Sequence, residues 1–351
     1  MLLALFSGLS FILSVISLPI IIKICHKLGL YDKIDARKVH TGKIPRLGGL
    51  AIFGPFFVSS GLYYHFNEDI MVRTVLPLLI AGMIVYSFGL IDDLFDLKAI
   101  IKLIGQVVAT SIVVLNGFCF SQVFGFTLPK VLSVILTFGW VLGLINAYNL
   151  IDGLDGLCGM LSITVIITLG VCFLMSGNIE SSLCFILSAS ILGFLIFNFP
   201  PAKTFMGDNG AQFLGFMIAI LPLYSSSNSF EYNKVLMMIV LAAFPIFDTI
   251  AAIWRRLREH RSIMSPDKSH LHHKLMNMGY SGKQVLFIMT LLQLLICATV
   301  VLSLYLGFRK GTALLLETLA FVTIFFSVIH FANRAVLSKH NSDNSSTEEH
   351  K

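Results

Sequence analysis

Charge is what this chain has least of. Of its 351 residues only 13% are Asp, Glu, Lys or Arg, while 56% are hydrophobic and mean hydropathy is +0.86. A soluble domain carries about a quarter charged residues. A water-soluble globule is therefore excluded, and a polytopic helical membrane protein is the class that fits. Patterned cysteine is missing too: the six Cys, at 25, 119, 158, 172, 184 and 297, form no CxxC pair and no disulfide framework. The first apolar run, Leu2 to Ile22, lacks a basic leading segment and a small-residue cleavage site. It reads as a retained helix rather than a signal peptide. No Gly/Ser/Pro linker divides the chain, no internal repeat is visible, and no nucleic-acid partner is expected.

What is present is a series of apolar runs. The fold expected is all-α with about eleven transmembrane helices, near 2–22, 48–66, 75–91, 99–116, 130–147, 157–176, 181–198, 211–226, 234–254, 284–306 and 312–331. They make one membrane domain over 1–340, followed by a polar, disordered tail over 341–351. Basic residues set the orientation. Loops 23–47 and 255–283 hold seven Lys or Arg each, and with Lys98, Lys102, Lys203, Arg334, Lys339 and Lys351 that face has 20 of the 25. The N-terminus is then outside and the C-terminus cytoplasmic.

Three acidic patches fall on that same cytoplasmic face, at Asp92-Asp93-x-x-Asp96, at Asn149-x-x-Asp152-x-x-Asp155, and at Gly207-Asp208. Carboxylates gathered at a membrane surface repel unless a cation holds them, and such a cluster suits a divalent metal and, through it, a diphosphate. Each also has a plainer reading. Asp92, Asp93 and Asp96 could be a solvated helix end with Lys98 and Lys102 as ion partners, and Asp208 could be a helix cap. Loop 255–283 contains His270-Leu-His272-His273 among Arg255, Arg256, Arg258, Lys268 and Lys274. That pattern fits an anion site better than zinc, whose usual Cys or spaced His partners are absent; a basic loop touching anionic lipid is the alternative. For Asp248, inside an apolar helix, function and structure are evenly balanced.

At these residues the chain resembles the bacterial polyprenyl-phosphate N-acetylhexosamine-1-phosphate transferases. That superfamily also holds the phospho-MurNAc-pentapeptide translocase. The resemblance runs from about Leu28 to Gly279, and the His270-x-His272-His273 form after Ser265-Pro-Asp-Lys-Ser looks like the WecA/TagO branch. It implies transfer of a sugar 1-phosphate, GlcNAc-1-phosphate first among them, from a UDP-sugar to undecaprenyl phosphate in the bacterial inner membrane. Mg2+ is the implied cofactor, with Mn2+ as a substitute. Asp208 matches the metal ligand, and Asp92, Asp93, His272 and His273 match catalytic positions. Lys43, Asn149, Asp152, Asp155, Asn198, Phe205 and His270 match substrate-binding positions, with Phe205 placed to stack on uracil. The family commonly has Ser after the Gly of Gly-Asp-x-Gly, where this chain has Ala211. Another N-acetylhexosamine or the phospho-MurNAc-pentapeptide remains an alternative, as does an ion-coupled transporter. Transporters, however, bind near the midplane rather than at one face. Monomer and homodimer both stay open.

Overall fold

The computed structural model describes residues 1–32, 43–67, 72–178, 180–224, 233–262, 265, 267 and 269–348. Thirteen α-helices run through them: α1 Leu2–Leu28, α2 Leu50–Phe66, α3 Val72–Phe95, α4 Ala99–Leu115, α5 Lys130–Ile151, α6 Leu157–Met175, α7 Ser181–Asn198, α8 Gly207–Ile220, α9 Lys234–Leu241, α10 Ala243–Arg258, α11 Leu271–Asn277, α12 Gly282–Tyr305 and α13 Gly307–Glu348. Over the described residues, each apolar run expected to cross the membrane is helical for most of its length. Among the described residues seven helices can span by length and composition, or eight if α9 and α10, bent by 74° at their junction, count as one. α2, α4 and α8 are shorter, with 17, 17 and 14 residues. One departure from all-α is a small hairpin between α4 and α5, pairing Gln122–Val123 with Phe126–Thr127. Phe124 and Gly125 take φ of 50° and 81° there, as a tight two-residue turn requires. The backbone of 341–348 continues α13, through the stretch read above as the start of a tail.

Burial sorts the helices. The spanning windows of α6 and α7 are 78% and 72% buried within the protein, whereas those of α1 and α13 are 28% and 17% buried. α6 and α7 therefore form the interior, and α1 and α13 present Leu, Ile and Phe outward to lipid. Hydrocarbon tails are as apolar as Leu, so helices associate through close packing and shared hydrogen bonds rather than hydrophobic drive. Ser14 on α1 donates to the carbonyl of Ser190 on α7 at 2.9 Å, and Tyr64 on α2 shares a 2.9 Å bond with Ser182 on α7.

Three helices run further than the apolar pattern suggests, and all three overruns meet at one end of the bundle. α3 extends past residue 91 to carry Asp92 and Asp93 in its last turns, α5 extends past 147 to carry Asn149, and α8 begins at Gly207, putting Asp208 in its first turn. Polar residues dilute hydropathy and so hide these turns from a sequence reading. They remain helical because their side chains satisfy one another.

Candidate active site

α3 and α8 approach unusually closely at Gly89. A Cβ there would lie 2.6 Å from Cα of Asn209, so only glycine lets the helices meet at this point. The approach delivers the end of α3 to the start of α8. Asp93, buried, accepts from the backbone N–H groups of Asp208 at 3.1 Å and Asn209 at 3.0 Å, and from the Asn209 side chain. These are among the unsatisfied donors of a helix N-terminus. Asp93 thus caps α8 from another helix, with the helix dipole in its favour. Arg46 Nε lies 3.8 Å from Asp93, and Arg46 Nη2 lies 3.8 Å from Asp96. Asp96 lies just past α3, which ends at Phe95, and turns away with φ 51°.

Asp92 faces differently from its neighbour. Its Oδ1 accepts from Leu97 N at 2.7 Å, and its Oδ2 from Lys102 Nζ at 2.9 Å. The same ammonium reaches Asp208 Oδ2 at 3.1 Å. Asn149 and Gln212 also donate to that oxygen, at 3.2 and 3.3 Å. Behind them Asn146 donates to Gln106, and Gln106 donates to Gln212, at 3.0 and 3.1 Å. The chain of amides fixes Asp208 from the side facing the bundle. Lys102 enters the sequence reading only as an ion partner of the Asp92 patch, and it does pair with Asp92; Gln106, Gln212 and Arg46 are not among the candidate residues.

Opposite this rim stands a histidine wall. Asp248 on α10 accepts from His270 Nδ1 at 2.7 Å and from Leu271 N at 2.9 Å, anchoring the start of α11. His270 stacks parallel to His272, with ring centres 5.9 Å apart. His272 is 1% exposed, and neither of its ring nitrogens has a partner. Its ring lies against Gly153, where a Cβ would come within 2.7 Å of Nε2. Burial, reinforced by the neighbouring His273, pushes its pKa down to about 3, so the ring is neutral at ordinary pH. Nearby, Arg255 Nε holds Asp267 at 3.1 Å. Burial alone would raise the Asp267 carboxyl, but the Arg255 guanidinium overrides it and holds the group below the usual carboxylate range.

Between rim and wall lies a cavity of about 960 Å³, lined by Asp93, Asn149, Asp152, Asp155, Asn198, Phe205, Asp208, His270, His272 and His273. Ten candidate residues therefore meet in one space. Asp92 sits just behind it on Lys102. Lys43 is not in the wall: it is exposed, with Nζ 5.9 Å from the centre of the Tyr31 ring. Arg46 and Lys283 line the cavity instead. Two lining residues also build the frame. Asn198 accepts from Gly156 N at 3.0 Å and donates to the Thr204 carbonyl at 2.8 Å, while Asp155 accepts from Ala202 N at 3.0 Å. They tie the loop after α5 to the loop before α8. Lys268 and the stretch 33–42 of the early basic loop lie outside the described residues.

Among the described residues no three His, Cys, Asp or Glu side chains form a metal cluster. Mg2+ needs less than that from protein, because it commonly binds through one or two carboxylates plus substrate phosphates and waters. Asp208 and Asp92 offer such a pair: their carboxyls are within hydrogen-bond reach of each other, with Lys102 compensating the charge. The oxygen-only donor set fits magnesium and not a thiophilic metal.

This geometry can be set beside known proteins. Residues 75–226 match the family model of glycosyl transferase family 4. A Bacillus subtilis protein named probable undecaprenyl-phosphate N-acetylglucosaminyl 1-phosphate transferase is 37% identical over 286 residues, covering 78% of this chain and 77% of the relative. The decaprenyl-phosphate N-acetylglucosaminephosphotransferase of Mycobacterium tuberculosis (strain CDC 1551 / Oshkosh) is 33% identical, covering 76% and 73%. The undecaprenyl-phosphate alpha-N-acetylglucosaminyl 1-phosphate transferase of Escherichia coli (strain K12) is 30% identical, covering 85% and 83%. The chain belongs to glycosyl transferase family 4. The matched segment contains the whole acidic rim, with Asn149, Asp152, Asp155, Asn198 and Phe205, whereas Lys43 and the histidines lie outside it.

Proposed function

We propose that this protein transfers GlcNAc-1-phosphate from UDP-GlcNAc to undecaprenyl phosphate, releasing UMP and starting a lipid-linked glycan. The observation that carries this reading is the facing of Asp93 and Asp208, with Asp92 just behind them, by three histidines across one cavity, beside two cations. One substrate is water-soluble and the other is held in lipid, so a site at the ends of spanning helices serves both. In the reaction an oxygen of the lipid phosphate bonds to the sugar-side phosphorus. The bond from that phosphorus to the bridging oxygen breaks, and the bridging oxygen leaves with UMP.

Most catalysis of such transfers is positioning and charge stabilisation. Mg2+ held by Asp208 and Asp92 would neutralise diphosphate charge. Lys102 balances the two carboxylates, and Arg46 holds the Asp93 end of the rim. A neutral His272 donates one N–H, and His273 stands beside it with ring centres 4.2 Å apart. Both face the charge that grows on the leaving phosphate. Asp93, turned into the α8 backbone, is a positioning group. The lipid phosphate loses its second proton near pH ~6, so it is already a nucleophile at neutral pH and needs no strong base.

The chain forms one catalytic domain with eleven spans, N-terminus out and site cytoplasmic, in the bacterial inner membrane. The basic asymmetry supports this orientation. Single cysteines at Asn228 and Ser262, labelled from intact cells, should react at 228 only; reaction at 262 alone, or equally at both, overturns it. For the chemistry, purified protein given undecaprenyl phosphate and a panel of UDP-sugars should release UMP best with UDP-GlcNAc and Mg2+. Release with no lipid-linked product, or no release from any donor, removes the assignment.

A further inference from the structure

α9 and α10 meet at Ala242 with a 74° bend, deep in an apolar part of the chain. Three residues beyond Ala242 is Pro245, which has no N–H. In a continuous helix that missing donor is the one that would bond the carbonyl of Leu241, four residues back. An unpaired carbonyl among these buried apolar residues is costly, because no water is present to bond it. The Leu241 carbonyl is not orphaned. Gln293, on α12 and 1% exposed, donates to it from Nε2 at 3.0 Å. The same amide reaches Cys297 Sγ at 3.5 Å, and that thiol lies 3.7 Å from the carbonyl of Thr164 on α6.

The bend carries something. Asp248 lies one turn past Pro245, on the arm whose direction the bend sets. Asp248 alone among the described residues ties α10 to both the His270 ring and the backbone of Leu271. Those two bonds seat α11, and α11 carries His272 and His273 into the cavity. An unbroken path therefore runs from Gln293 through the Leu241 carbonyl and Asp248 to the histidines.

We propose that Gln293 is a positioning residue: by replacing the hydrogen bond that Pro245 cannot make, it holds the α9–α10 bend at the angle that aims the histidine wall. The proposal rests on the transfer reading for its activity readout, but the bend itself can be measured without any turnover.

Gln293→Met keeps size and apolar packing while removing the donor, so it isolates the hydrogen bond. The expected result is a kcat for UMP release at least tenfold lower, with KM for the nucleotide sugar within about twofold, since the acidic rim is untouched. Thermal stability should fall as well. The informative variant is Gln293→Met with Pro245→Ala. Alanine restores an N–H at 245, satisfies the Leu241 carbonyl within the helix and straightens the bend. It should recover the lost stability and leave kcat low. Spin labels at the exposed positions Leu257 and Leu295, in a Cys119→Ser background, report the bend directly by their separation. One narrow distance is expected for the parent, a broad or shifted one for Gln293→Met, and a shifted one for the double variant. An unchanged distance in Gln293→Met, or full kcat in the double variant, overturns the proposal. If the parent releases no UMP at all, the transfer reading fails, while the label distances still decide the bend.

Discussion

Asp93 and Asp208 on one side of the cavity and His272 on the other satisfy their polar atoms in opposite ways. On the acidic rim, Asp208 Oδ2 accepts from three side chains and Asp93 accepts from three N–H groups. On the histidine wall, His272 is buried with neither ring nitrogen bonded. Leaving one buried polar group unpartnered costs about 1–3 kcal/mol, so a cavity-lining ring with no protein partner marks a place for a bound water, ion or reacting ligand. The rim is thus organised by the protein, ready for a cation. The wall is organised for something that arrives, and its chemistry is that of an anion acceptor. A diphosphate bound between them would complete both sides at once.

The largest test of this contrast is Asp208→Asn. The amide keeps the shape of the rim but removes the charge that a magnesium ion needs. Transfer should fall at least about 10³-fold, the scale of several kcal/mol of lost metal stabilisation, with thermal stability near the parent. Near-parent activity at ordinary Mg2+ would show that the rim does not hold the metal.

Next come His272→Ala and His273→Ala. Each should lower kcat by about 10²-fold, the cost of one donor to developing charge, and leave magnesium dependence unchanged. Single-turnover UMP release at saturating substrate checks this, with metal analysis alongside. Parent rates in both variants would leave the rim alone to carry the chemistry, and bound zinc would return the loop to a structural role.

Asp93→Asn separates holding from reacting. An Asn cannot accept from three N–H groups, so α8 loses its cap and about 1–3 kcal/mol of stability. Activity should drop about tenfold through a displaced Asp208. A variant with parental stability and a loss as large as that of Asp208→Asn would mean that Asp93 itself takes part in the chemistry.

Much of this site can be read in the chain. Asp92, Asp93, Asp208 and the histidines stand out because charge within or beside apolar runs is rare. The cations that serve them are harder to see. Arg46 lies in a loop whose charge is accounted for by topology, so nothing in the sequence separates it from Lys43. Lys102 is legible as an ion partner of the Asp92 patch, but not as the ammonium that also reaches Asp208. One signal was available: Lys102, Gln106 and Thr110 fall at four-residue spacing on α4, a polar stripe in an apolar helix, and Gln106 and Thr110 are buried. Such stripes face protein rather than lipid. Gln212 likewise sits one turn after Asp208. The bend at Ala242 was not visible as such, because Pro245 in a first turn is compatible with an ordinary helix start. What decides it is the Gln293 amide, 48 residues further along the chain.

The smallest effect tests the wall without turnover. The His272 pKa is about 3 in the folded protein against an ordinary value of 6.5, because burial excludes the charged ring. Below pH 6.5 the unfolded chain binds a proton at this residue that the folded chain refuses. Stability from this group is therefore present above about pH 6.5 and is lost progressively as pH falls toward 3, with a slope of at most about 1.4 kcal/mol per pH unit. Other groups titrate in the same window, so the comparison is with His272→Gln, which has a similar polar edge and no titration. The detergent-solubilised parent should lose melting temperature more steeply than the variant between pH 6.5 and pH 4, and the two should run parallel above pH 7. A saturating diphosphate ligand with Mg2+ should lessen the contrast, since its remaining negative charge beside the ring favours protonation. Parallel curves throughout would place His272 in water rather than against Gly153, and the wall would then be an exposed basic surface.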